Sequence, residues 1–185
     1  LVDRGRATTI KTRVVAGSQQ VVRFDREAVA DLPPSGVRAL AGRLRDLLPE
    51  ADALVISDYG KGVITGPLVR ALLPLARRHR VPVVVDPKLA LFRFYRRVAV
   101  ITPNHHEAAA AAARPIRSED DLVAVGKTLR ARLDADNLLM TRGEQGMSLF
   151  ERDGSVTHIP AVAKEVYDVT GAGDTLVATV ALGLA

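Results

Sequence analysis

Asp168-Val169-Thr170-Gly171-Ala172-Gly173-Asp174-Thr175 runs directly into the apolar stretch Leu176-Val177-Ala178-Thr179-Val180-Ala181-Leu182-Gly183-Leu184. Three residues without bulk let the backbone turn tightly and present its N–H groups to an anion. The apolar stretch predicts a helix whose unpaired N–H groups and positive dipole end face the same point. Asp174 then falls in the first helical turn, where a carboxylate can accept a proton from a hydroxyl while the N–H groups hold developing charge. The same residues also suit a purely structural Gly-rich turn capped by Thr170 or Asp174.

The rest of the chain supplies the frame for such a site. Continuous apolar runs at residues 53–57, 81–85, 98–102 and 137–141 read as short strands buried on both faces. Helical spacing appears at 37–48, 67–79, 105–113 and 119–133, so strands and helices alternate. That alternation predicts an α/β fold, a mostly parallel sheet with helices on both faces. Two β-branched runs broken at Gly17-Ser18 read as a hairpin over residues 8–24, and 147–151 with 155–159 read as a second hairpin near the sheet edge. Ligands of open parallel sheets bind beyond the carboxyl ends of the strands. Four polar clusters are expected there: Asp58-Tyr59-Gly60-Lys61-Gly62, Asp86-Pro87-Lys88, Thr102-Pro103-Asn104 and Thr141-Arg142-Gly143.

Composition narrows the function classes. At 185 residues the chain can bury about 70% of its unfolded surface in one core. It has no cysteine, which excludes disulfides and thiolate chemistry and fits a reducing cytoplasm. The net charge is +5, but the basic residues are scattered and aromatics are only 4%, so a nucleic-acid platform is not expected. No apolar run approaches the ~18 residues of a membrane span. The sequence opens on Leu1, with neither Met nor a signal-peptide pattern, and reads as part of a longer protein.

Individual residues carry two readings each. Asn104 and Glu107 are three apart, so on a helix they suit water-mediated Mg²⁺ binding, or equally a capping box. His105 and His106 are adjacent and cannot face one point on a helix; a solvated pair is expected. Lys88 follows a strand and can reach phosphate across the strand ends. Lys61, between two glycines, can do likewise or be an ordinary surface lysine. Residues 141–146 read as a turn beside a ligand or before a hairpin.

Asp-Val-Thr-Gly-Ala-Gly-Asp-Thr resembles the signature of the ribokinase-like (PfkB) carbohydrate kinases. Lys11-Thr12-Arg13-Val14, residues 57–62, Asp86-Pro87-Lys88, Asn104 with Glu107, residues 141–149 and Glu165-Val166-Tyr167-Asp168 together resemble the heptose 7-phosphate kinases of ADP-heptose synthesis for lipopolysaccharide or S-layer glycans. The resemblance implies a three-layer ribokinase-like fold over 1–185, with its N-terminal part and last helices absent and the 8–24 hairpin near the sugar or lid side. It implies ATP-dependent transfer to the anomeric hydroxyl of D-glycero-D-manno-heptose 7-phosphate, with Mg²⁺. Asp174 is then the catalytic base, and Gly171, Ala172 and Gly173 the anion hole. Asn104, Lys88, Thr141, Gly143 and Gly146 would meet the nucleotide, Lys11, Arg13, Asp58 and Lys61 the sugar phosphate, and Glu107 with Asn104 the magnesium through water. A homo-oligomer and a fused nucleotidylyltransferase domain are also implied. Another sugar or nucleoside substrate, or binding without catalysis, are the alternatives. Two local departures stand out: Leu89 where Gly is expected, and Ser18 where Asn is common.

Overall fold

The computed structural model describes residues 2–3, 5–17, 19–162 and 171–185. Two antiparallel strands, β1 (Ile10–Ala16) and β2 (Gln19–Arg26), form a small sheet of their own. The main sheet has the order β3 (Leu54–Ser57), β4 (Val83–Asp86), β5 (Val100–Ile101), β6 (Asn137–Thr141), β7 (Met147–Phe150) and β8 (Val156–Ile159). β3 to β6 are parallel, and β7 and β8 add an antiparallel hairpin at the edge, as the alternation predicted.

Local chemistry starts and stops the helices where the sequence suggests. α1 (Pro34–Leu47) begins on a proline, whose missing N–H costs nothing at a first turn. α2 (Gly66–Arg78) is capped by Thr65, whose hydroxyl accepts from the Leu68 N–H. α3 (His105–Ala112) opens with a complete capping box. α4 (Glu119–Leu133) is capped by Ser118, carries three acids in its first turn and Arg130 and Arg132 in its last, matching the helix dipole. α5 (Ala172–Leu184) follows Gly171, whose φ of 81° is the left-handed conformation that glycine adopts without strain.

The alternating strand faces feed two cores. Val83 and Val85 point into the larger one with Ile56, Ile101, Leu138 and Met140, covered by α2, α3 and α4. Val84, Val100 and Leu139 point the other way, against Val177 and Ala181 of α5. Helices therefore lie on both faces, but unevenly among the described residues. One expectation needs correcting: β3 is not buried on both faces. Ile56 is buried, whereas Val55 is 42% exposed. β3 is the end strand of the described sheet, and α5 packs on β4 and β3 without covering Val55.

The first hairpin is anchored at its root to the loop after β3. The Arg6 guanidinium donates to the carbonyls of Ala28, Ala30 and Lys61. The Leu32 N–H donates to the Gly62 carbonyl at 2.8 Å. Gly62 has φ 78°, and a Cβ there would lie 2.1 Å from the Ala30 carbonyl oxygen, so only glycine lets these two segments meet.

Candidate active site

The parallel register brings the four polar clusters to one edge. Beyond the strand ladders, backbone bonds continue from Asp58 N–H to Asp86 O, from Thr102 N–H to Val85 O and from Thr141 N–H to Pro103 O. A cavity of about 200 Å³ opens there, lined by Asp86, Lys88, Thr102, Asn104, Glu107, Thr141, Gly173 and Leu176. The N-terminus of α5 thus faces the carboxyl ends of β4, β5 and β6. A Cβ on Gly171 or Gly173 would meet nothing within 4 Å. Among the described residues nothing crowds this helix end, whose backbone N–H groups suit an anion. Asp168, Val169 and Thr170 of the same motif lie outside the described residues.

Both readings of Asn104 and Glu107 bear on this cavity. The Glu107 N–H donates to Asn104 Oδ1 at 2.9 Å, and the Asn104 N–H donates to Glu107 Oε2 at 3.0 Å. The capping box is therefore formed, and it leaves Glu107 Oε1 to receive the Lys88 ammonium at 2.5 Å. Burial opposes the charge on Lys88, but the bond to Glu107, with Asp86 and Asp58 nearby, moves its pKa upward. Asp86, to which the sequence assigned no role, is the carboxylate here whose charge its surroundings oppose. Burial raises its pKa to about 6; Lys88 opposes the rise, and Glu107, Asp174 and Asp58 add to it.

Four carboxylates against one ammonium leave a local excess of negative charge. A divalent cation fits that environment. Among the described residues no three His, Cys, Asp or Glu side chains form a cage. Mg²⁺ does not require one, since it keeps most of its waters and takes few protein ligands.

Asp58 and Tyr59 part company. Asp58, expected to meet the sugar, is 1% exposed. Its Oδ1 accepts the Gly60 N–H at 2.7 Å and its Oδ2 the Tyr95 hydroxyl at 2.7 Å. Both oxygens are thus engaged inside the chain, shaping a loop in which Gly60 and Gly62 have positive φ. Tyr59 projects from that loop, and its hydroxyl donates to Asp174 Oδ1 and Oδ2 at 2.9 and 3.1 Å. Tyr59 lies inside a stretch singled out from the sequence, but nothing local marks it as the neighbour of a residue 115 positions later. Tyr95, fully buried, had no sequence signal beyond being an aromatic that needs a polar partner.

The basic residues of the hairpin form a separate group. Lys11 pairs with Asp25 at 3.2 Å and lies 3.9 Å from Glu27, which also receives Lys61. Arg13 is exposed on β1, opposite Arg23. Lys11 and Lys61 are therefore brought together through Glu27, apart from the residues lining the cavity. On the opposite side, Gly143 and Gly146 bound a single 3-10 turn with φ of 60° and 82°. Gly143 borders open space, whereas a Cβ on Gly146 would lie 2.1 Å from the Ile159 carbonyl oxygen. His106 is exposed as expected; His105 is not a solvated residue. It is half-buried, and burial, with His106 and Arg142 nearby, lowers its pKa although the Thr141 backbone opposes this. The cause is its place in a cleft with Ile116, Leu122 and Arg142.

Comparison with known proteins follows the same lines. The profile of the pfkB family carbohydrate kinases matches residues 1–185. A bifunctional protein HldE of Rhodospirillum rubrum is 46% identical over 184 residues, covering 100% of this chain and 37% of that protein. The HldE protein of Geobacter metallireducens is 47% identical over 183 residues, covering 99% of this chain and again 37% of the relative. This chain thus spans little more than a third of those relatives' length. Among solved structures, phosphofructokinase-2 from Escherichia coli in complex with substrates and products superposes with a TM-score of 0.74 at 20% identity, over 95% of this chain and 57% of that one. Ribokinase of Arabidopsis thaliana complexed with ribose and ATP gives 0.64 at 14% identity, over 88% and 53%.

Proposed function

The chain belongs to the pfkB family of carbohydrate kinases, and on that premise we propose that it is the catalytic-base side of an ATP-dependent heptose 7-phosphate kinase. The acceptor is the anomeric hydroxyl of D-glycero-D-manno-heptose 7-phosphate, and the product is the 1,7-bisphosphate. The observation that carries this reading is the meeting of the α5 N-terminus with the carboxyl ends of β4, β5 and β6 around one charged cavity. The choice of sugar rests on the 40–47% identity to HldE proteins.

In this reading Asp174 takes the proton of the acceptor hydroxyl as its oxygen bonds to the γ-phosphorus. The bond from that phosphorus to the β–γ bridging oxygen breaks, and ADP leaves. The N–H groups of Gly171, Ala172 and Gly173 hold the transferring phosphoryl oxygens, and Lys88 adds positive charge from the opposite wall. Thr141, Gly143 and Gly146 bound the nucleotide side. Glu107 and Asn104 would hold Mg²⁺ through water, with Asp86 adjacent, and the cation would supply charge to offset the phosphates. Lys11 and Arg13 on the hairpin and Lys61 in the loop after β3 face the sugar phosphate, and the hairpin acts as the lid of a partial kinase domain spanning 1–185. Asp58 contributes by holding the loop rather than by touching sugar.

We propose further that the protein of which this chain is part is bifunctional, as its HldE relatives are named, that its second domain is a nucleotidylyltransferase, and that it works in the cytoplasm as a homo-oligomer. No described helix is long and apolar enough to cross a membrane. The test is ATP consumption with heptose 7-phosphate, ribose and fructose, with and without Mg²⁺. It is run on this chain and on a protein carrying it at the length of its HldE relatives. Mg²⁺-dependent turnover with the heptose phosphate alone is expected. Turnover with another sugar discards the substrate, and none with any sugar leaves binding without catalysis.

A further inference from the structure

Asp174 lies in the first turn of α5. It is exposed at the mouth of the cavity, and it shares an electrostatic neighbourhood with Asp86. Exposure leaves its side chain open to several rotamers. Among the described residues, the group that opposes this is the Tyr59 hydroxyl, which straddles both carboxylate oxygens at 2.9 and 3.1 Å. One donor shared by two oxygens fixes where the carboxylate head lies and, among the described residues, leaves its outer lone pairs without a partner.

Tyr59 is itself held from behind. It follows Asp58, whose carboxylate is locked by the Gly60 N–H and by Tyr95 in the core. The next residues are pinned through Gly62 against Ala30 and Leu32. Burial does not explain the Tyr59 contact, because Tyr59 is 52% exposed. An exposed tyrosine–aspartate bond adds little to stability, so the backbone restraint converging on it points to a task outside folding.

We propose that Tyr59 is a positioning residue for the phosphoryl-transfer step: its hydroxyl holds the Asp174 carboxylate over the strand ends with its outer lone pairs turned to the acceptor hydroxyl. The pairing stands on the geometry alone; its role in transfer rests on Asp174 being the base. Tyr59 stays bonded to the carboxylate while the acceptor proton arrives on the outer side. Displacement of a base by about an ångström lowers turnover up to roughly a hundredfold. Loss of the tether is therefore expected to lower kcat about ten- to a hundredfold while ATP binding is kept.

Two measurements decide this, made on the protein at the length of its HldE relatives. The first is a spectrophotometric titration of tyrosinate at alkaline pH. The bond to Asp174, together with burial, raises the ionisation of Tyr59 above that of an ordinary tyrosine. Asp174→Asn is expected to move one tyrosine transition to lower pH, and Tyr59→Phe to remove that same transition. An unchanged titration curve in Asp174→Asn overturns the pairing. The second compares kcat, KM and pH profiles of Tyr59→Phe with the parent. The expected result is a tenfold or larger fall in kcat, a KM for ATP within about twofold, and a displaced acid limb of the pH–kcat profile. A kcat within twofold and a superposable profile overturn the role even if the pairing is real. Absence of turnover by the parent with every sugar overturns the kinase reading and this role together, while the titration still reports on the pair.

Discussion

Removing one buried oxygen at Tyr95 tests how the active-site loop is held. Tyr95 is fully buried, and its hydroxyl donates at 2.7 Å to Oδ2 of Asp58, which is 1% exposed. Tyr95→Phe leaves the ring in place and deprives the carboxylate oxygen of its donor. Water cannot replace it without opening the core. A hydrogen bond to a charged group contributes about 1.5–3 kcal/mol net. The better burial of phenylalanine is already contained in that figure, since it derives from substitutions of this kind. For a chain of this size roughly 2 kcal/mol corresponds to a fall in Tm of about 4–8 °C. Thermal and urea unfolding of parent, Tyr95→Phe, Asp58→Asn and the double variant measure it directly. Because both single changes break one bond, the double variant is expected to lose less than their sum, by about 1 kcal/mol or more. A Tm change under about 1 °C for Tyr95→Phe, or strict additivity of the two changes, refutes the idea that this bond supports the loop.

Three further outcomes follow from the same geometry. Asp174→Asn is expected to lower kcat about 10²- to 10⁴-fold with ATP binding retained, as measured by turnover and nucleotide titration; wild-type turnover in this variant removes Asp174 as the base. Gly126→Ala on α4 sets two effects against each other. The helix gains about 1 kcal/mol from alanine, but the new Cβ would lie 2.3 Å from the Phe150 ring, which is 1% exposed. A ring that cannot retreat costs about 1–3 kcal/mol, so the urea midpoint is expected to fall; a rise shows that the core yields. Asp86 has a folded-state pKa of about 6, above the ordinary 3.8. The folded protein therefore holds this proton more tightly than the unfolded chain. That contribution is complete below about pH 4 and is lost as pH rises through about 6. Asp86→Asn, neutral throughout, is expected to gain Tm relative to the parent between those pH values, and a constant difference across the range counts against the shift.

The contrast between α4 and His105 shows where sequence reading stops. Ser118, the acids that follow and Arg130 with Arg132 bound α4 from within its own fifteen residues, and its limits are those expected. The same local logic located the capping box at Asn104 and Glu107, and the Gly turn before α5. His105 was misread because its burial depends on Ile116, Leu122 and Arg142, residues 11, 17 and 37 positions away. Val55 was misread because an apolar run does not reveal whether its strand lies inside a sheet or at its end.

By itself the sequence determined the alternation of strands and helices, the hairpins, the caps, and the four polar clusters at the strand ends. All of these are short-range consequences of periodicity and of glycine, proline and capping chemistry, which a few neighbouring residues suffice to impose. Tertiary structure alone decided that Asp58 turns inward to Tyr95 while Tyr59 turns outward to Asp174. It also decided that Glu107 divides its oxygens between a helix cap and Lys88, and that Asp86 is charged only at some cost. Each of these depends on which distant group shares the space around a polar atom, and on how much water that packing leaves.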